Sequence, residues 1–178
     1  GKADSTVTFQ NNMTLGTAGK DGTFTVDTAA TTADDNFLLT RNETMGVTVD
    51  MTGSLNLQGN TAVEVIGSGA LRHKSAFNNA TAIRVREGAT LAVDSGAGLT
   101  AATELCKSSI SLDSAEVSGS GITVTDAATI RATGGNSTIT AATTLTNEST
   151  LTHDVAEGAT LQSTGELTAE TRSNLVKT

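Results

Sequence analysis

The chain has 178 residues and no proline, tryptophan or tyrosine; it holds four phenylalanines and one cysteine, Cys106. Missing rings argue against a two-sheet sandwich or barrel, whose cores normally draw on aromatic volume. A single cysteine excludes an internal disulfide. Stacked repeats gain stability by adding units and do not need such a staple. No histidine lies near Cys106 in sequence, so its thiol reads as a small core or ladder residue rather than a nucleophile. The chain lacks an apolar run of the roughly 18 residues that a spanning helix requires. Cations are also scarce. Eleven Lys and Arg face 19 Asp and Glu, a net charge of −8, which argues against nucleic acid or an anionic membrane as partner. There is no charged-then-apolar leader. The opening Gly1-Lys2-Ala3-Asp4-Ser5, without Met, reads as a processed or excised segment.

Threonine is abundant instead, and glycine contributes 18 positions. Threonine is β-branched and favours strands, while glycine and asparagine serve tight turns. Hydrophobic content is only 37%, low enough that disorder must be weighed, but the apolar residues are periodic. Val65, Val85, Leu105, Val124 and Leu145 are spaced by 20, 20, 19 and 21. Leu71, Leu91, Leu112, Ile130 and Leu151 form a second series, and Leu57, Phe77, Leu99, Val117, Ile139 and Leu161 a third. Three series at one period predict three walls of a coiling chain, each coil closing its core only against its neighbours.

Short alternating segments such as 61–66, 81–86, 89–94, 109–113, 121–125 and 137–141 read as strands with one buried face. Turn residues separate them: GSG at 67–69, EGA at 87–89, SGAG at 95–98, SGSG at 118–121 and TGGN at 133–136. The fold class is therefore all-β: a single-stranded parallel β-helix, or β-solenoid, three-sided, with about 20 residues per coil. At the usual strand separation, eight to nine coils make a rod about 40 Å long. One domain spans 1–178. Residues 1–44 are less regular, with a loop at 28–36. A second excursion is expected at 72–80, with Phe77 still pointing inward. The tail 168–178 loses the period and reads as a C-terminal cap, with a short helical turn, or a frayed end.

Outward residues of successive coils must stack as the inward ones do. Glu64, Arg84 and Glu104 lie one period apart and predict a surface charge ladder, each exposed pair contributing at most about 1 kcal/mol. A ligand site centred on Arg84 and Arg86 is the alternative use of the same residues. Asp34 and Asp35, adjacent carboxylates, and the basic run Arg72, His73 and Lys74 fall in the two expected excursions and are candidate binding loops. His73 and His153 lie far apart in the chain and have no zinc-type spacing. Asp126 and Asp154 read as turn residues. GSG and SGSG lie between strands and open no helix, so they are not phosphate loops. Thr-x-Thr pairs recur, but Glu64, Arg84 and Glu104 interrupt the flat threonine array that ice binding needs. No metal, cofactor or catalytic group is expected. Five Asn-x-Ser/Thr sequons, at Asn12, Asn42, Asn79, Asn136 and Asn147, bear on function only in a eukaryotic secretory setting.

Residues 83–100 (IRVREGATLAVDSGAGLT) and 151–168 (LTHDVAEGATLQSTGELT) share an apolar-x-apolar pair, a Gly-Ala-Thr turn into Leu, then Gly and Thr. Across roughly 45–167 the chain resembles passenger repeats of bacterial autotransporters and related surface adhesins with the pectin-lyase-like right-handed β-helix. The resemblance implies a right-handed coil, export across an outer membrane, and an extracellular or cell-surface location. The translocator barrel of that family is absent from these residues. Polysaccharide lyases and pectinases share the fold, and their sites resemble clusters of Asp near Lys or Arg, often with calcium; sugar sites also favour Trp or Tyr, which are missing here. The expectation is a non-catalytic structural or adhesin-like protein. Its partner is an extended surface, either a host-cell or matrix component or another copy of itself. A polysaccharide lyase or hydrolase-like fragment and a self-assembling filament subunit are the alternatives.

Overall fold

A computed structural model describes residues 5–11, 13–28, 47–53, 55–74, 77, 78 and 80–178. Twenty strands, numbered β1 to β20 in chain order, occupy these residues, with no helix among them. Every pairing is parallel, and the strands arrange as three walls. The first wall is β1 (Ser5–Phe9), β3 (Val47–Met51), β5 (Ala70–His73), β8 (Thr90–Val93), β11 (Ser108–Asp113), β14 (Ala127–Gly134), β17 (Thr150–Val155) and β20 (Asn174–Lys177). The second is β2 (Met13–Asp27), β4 (Leu55–Ile66), β7 (Ala82–Arg86), β10 (Ala102–Cys106), β13 (Ile122–Val124), β16 (Thr143–Leu145) and β19 (Leu167–Ala169). The third is β9 (Gly98–Leu99), β12 (Glu116–Val117), β15 (Asn136–Ile139) and β18 (Thr160–Ser163), while β6 (Phe77–Asn78) pairs with the first half of β4. The protein is a three-walled β-solenoid with roughly 22 residues per turn.

The second wall carries the expected series without a slip. Val65 pairs with Val85, Val85 with Leu105, Leu105 with Val124 and Val124 with Leu145. All five are 0% exposed. The first wall departs from the expected series by two residues in three of its four steps. Leu91 and Ile130 both pair with Ile110, not Leu112, and Leu151 pairs with Ala128, not Ile130. A slip of two keeps every side chain on its face, so hydrophobic spacing alone could not choose between them. On the third wall Leu161 likewise pairs with Ser137, two residues before Ile139. The side chain of Phe77 lies outside the described residues, as do residues 29–46, where most of the excursion expected at 28–36 falls.

The tail forms a further coil of strands, without the expected helical turn. Residues 174–177 form β20, which pairs with β17, and 167–169 form β19 on β16. Coil length rises there: Leu145 to Ala169 and Leu151 to Leu175 are steps of 24. That lengthening hid the period. The expected turn at 133–136 is also shorter in the fold, because β14 runs through Gly134 and β15 starts at Asn136.

Corners use local chemistry. Glu87-Gly88-Ala89-Thr90-Leu91 recurs as Glu157-Gly158-Ala159-Thr160-Leu161. Each copy closes a turn, with Ala89 N–H donating to the Arg86 carbonyl and Ala159 N–H to that of Ala156, both at 3.0 Å. The first copy leads into β8 on the first wall and the second into β18 on the third. The motif therefore specifies a corner, not which corner. Glycine is required at 119, where φ is +90° and a Cβ would collide with the Thr100 carbonyl of the preceding coil.

Candidate functional site

The outward face of the second wall holds the candidate site. Alternation along β4, β7 and β10 sends Val65, Val85 and Leu105 inward and Glu64, Arg84 and Glu104 outward. Parallel pairing then aligns Glu64 with Arg84 and Arg84 with Glu104, as the spacing predicts. The guanidinium that joins the ladder most fully is that of Arg86. Its Nη2 lies 3.0 Å from Glu104 Oε1, and its Nε 3.7 Å from Glu64 Oε1. Arg84 Nε sits 3.6 Å from Glu104 Oε2. These side chains keep between 27% and 38% of their exposure, so each pair contributes about 1 kcal/mol or less. Both guanidinia are engaged by carboxylates, which leaves little uncompensated charge for an anionic ligand.

Two residues before the ladder runs a row of small side chains. Ala62, Ala82 and Ala102 align across β4, β7 and β10, and Gly121 and Ala142 extend the row at the starts of β13 and β16. Small residues beside a row of long ones leave an open groove along the rod axis. Its volume is about 310 Å³, bordered by Arg84 and Glu104 and then by Thr123 and Thr144. Sequence reading did not single out this row, although Ala or Gly two positions before each ladder residue was the available signal. Cys106 pairs with Arg86 at an outward, half-buried ladder position.

The basic run 72–74 is placed differently from expectation. It does not loop out. Arg72 and His73 belong to β5, and alternation continues through them: Arg72 out, His73 in, Lys74 out. His73 is 1% exposed, stacked between Met51 and Val93. Burial strips the imidazolium of water and lowers its pKa from 6.5 to about 4. Charged residues on both sides made the run look solvated, but charge marks only the alternate positions. Arg72 Nε lies 3.5 Å from Asp94, and Lys74 donates to Asp50 at 3.1 Å. Asp34 and Asp35 lie outside the described residues.

Other charges also pair from coil to coil: Arg131 with Asp154 at 3.2 Å, Lys107 with Asp126 at 3.6 Å and Arg172 with Glu148 at 3.0 Å. Asp154, expected in a turn, lies in β17. His153 follows Ile130 in register and is half-buried, with a pKa lowered by desolvation. Among the described residues, no group of three or more His, Cys, Asp or Glu is arranged to hold a metal ion.

The chain matches no family model, no curated protein and no solved structure.

Proposed function

We propose that the chain is a non-catalytic, adhesin-like β-solenoid, displayed at a cell surface or secreted as a passenger segment of an autotransporter-type protein. One observation carries this reading. The groove on the second wall runs along the rod beside compensated charges and threonine hydroxyls, instead of closing around a focused set of reactive groups. Such a surface suits an extended partner, a host-cell or matrix component, touched weakly at each coil. Avidity over many contacts then supplies the strength. The Glu-Gly-Ala-Thr-Leu corners, which resemble those of autotransporter passengers, support the same reading.

The test is binding of clustered protein to matrix and host-cell surfaces, with the groove filled by Ala102→Arg and Ala142→Arg. Clustered parent should bind and the filled variant should lose most of that binding. In parallel, a polysaccharide panel with product detection, with and without calcium, should show no turnover. Turnover lost on substituting Arg84, Asp34 or Asp35 would replace this reading with a polysaccharide-processing enzyme.

A further inference from the structure

Arg72, His73 and Lys74 are the only three adjacent bases in the chain, and the fold treats the middle one differently from its neighbours. Arg72 and Lys74 point outward. Arg72 Nε reaches Asp94 in the next coil at 3.5 Å, and Lys74 Nζ donates to Asp50 in the previous coil at 3.1 Å. The two ion pairs tie this segment to β3 on one side and to the end of β8 on the other. His73 points inward between Met51 and Val93. It is the only titratable side chain among the described buried residues. The charged groups around it are therefore Arg72 and Lys74 on its own segment, Asp50 on β3 and Asp94 just beyond β8, all on the outer face. At neutral pH the segment carries two cations, each held by a carboxylate, on either side of a neutral imidazole. Burial lowers the pKa of that imidazole to about 4. Acid adds a third positive charge between the first two, and lower pH discharges carboxylates as well.

We propose that this segment is an acid-labile joint: on acidification the rod opens where β5 meets β3 and β8, while the coils from β10 onward stay closed. Stacking of coils is a nearest-neighbour interaction, so one weakened interface opens without the others having to. Three adjacent cations repel along one strand, and the middle one is held away from water, where an unpaired charge is most costly. His153, the second inward histidine of the first wall, builds no such joint. It is half-buried, and its neighbours are Thr152 and the carboxylate of Asp154 instead of two cations. The consequence is a rod that parts at one place in acid before it melts as a whole.

The experiment is amide hydrogen exchange of the full 178-residue chain at neutral pH and at about pH 4, corrected for the intrinsic pH dependence of exchange. Three amides report on the joint: Lys74 N–H donates to the Met51 carbonyl at 3.2 Å, Thr90 N–H to Gly69 at 2.9 Å and Asp94 N–H to His73 at 3.0 Å. Thr125 and Thr146, whose N–H groups donate to the Leu105 and Val124 carbonyls, report on later coils. Between the two pH values the joint amides should lose about tenfold more protection than the later ones. His73→Leu should abolish that excess. An Arg72→Ser, Lys74→Ser double variant, which leaves the core intact and is checked for folding by circular dichroism, should keep His73 and reduce the excess. Equal loss at both sets of amides in the parent overturns the proposal, because the rod then melts uniformly. So does an excess that survives in a folded His73→Leu variant, or a double variant as acid-sensitive at the joint as the parent.

Discussion

Leu105 and Leu167 lie on the same wall of the solenoid and obey the same alternation, and they differ in what covers them. Leu105 has Val85 on one side and Val124 on the other and is 0% exposed. Leu167 has Thr143 on one side only and is 46% exposed. The middle coils, from Val63 to Leu151, hold most of the fully buried side chains, whereas the residues after 156 are exposed or half-buried throughout. Burial in this protein is therefore a property of neighbouring coils, and stability is a sum of nearest-neighbour terms. An inward leucine in the last coil collects only part of the roughly 1.5–3 kcal/mol that full burial supplies.

The largest expected effect breaks a middle coil. Leu105→Asp removes packing and buries an unpaired charge, and should cost about 4 kcal/mol or more, read from denaturant midpoints. Leu167→Asp should cost about 1 kcal/mol or less. Equal losses at the two positions would mean that the end coil is covered after all.

Next in size is the acid response of His73, which sits among middle-coil residues. Its folded pKa of about 4 lies below the unfolded 6.5, so the unfolded chain binds the proton first as pH falls. Stability present above pH 6.5 should be lost progressively down to about pH 4, by about 3 kcal/mol. Carboxylates titrate in part of that window, so the measurement is the parent minus a His73→Leu variant, at pH 7, 5.5 and 4. A difference that does not change with pH would place the imidazole in water and remove His73 from the core column. His153, half-buried nearer the end, shifts in the same direction, and His153→Leu should alter the acid response less.

The smallest effect concerns the surface. Arg86→Ala removes the guanidinium shared by Glu64 and Glu104, leaving Glu104 its contact with Arg84, and should cost about 1 kcal/mol or less, shrinking with added salt. Arg172→Ala, whose partner pair is 74% and 64% exposed, should be neutral within error. Hydrogen exchange of the β7 and β10 amides compares the two variants at residue level. Matching protection in both would show that the ladder adds nothing to the wall it decorates.

Local patterns in the chain were enough to read the second wall. Val65, Val85, Leu105, Val124 and Leu145 hold one position per coil with a nearly constant step, and Glu64, Arg84 and Glu104 inherit their alignment from them. Parity, too, was written locally: a side chain two residues from an inward one is also inward. Parity alone left the first wall ambiguous, since Leu112 and Ile110 satisfy it equally beneath Leu91. The strand at 70–73 was obscured because a charged pair flanks a buried histidine. Strands β19 and β20 were obscured because the longer final coils break the period. The groove was unread because alanine and glycine carry no chemistry of their own; they acquire it from the long side chains beside them.

What the amino-acid order determined by itself was the alternation, the corner chemistry and the approximate coil length, all set by contacts within a few residues. Tertiary structure decided the rest. It chose among registers two residues apart, closed a core around His73, drew Arg86 onto two carboxylates and left Leu167 and Leu175 in the open. Each of these depends on which coil lies next along the axis, and that neighbour is a full coil away along the chain, beyond the reach of any local pattern.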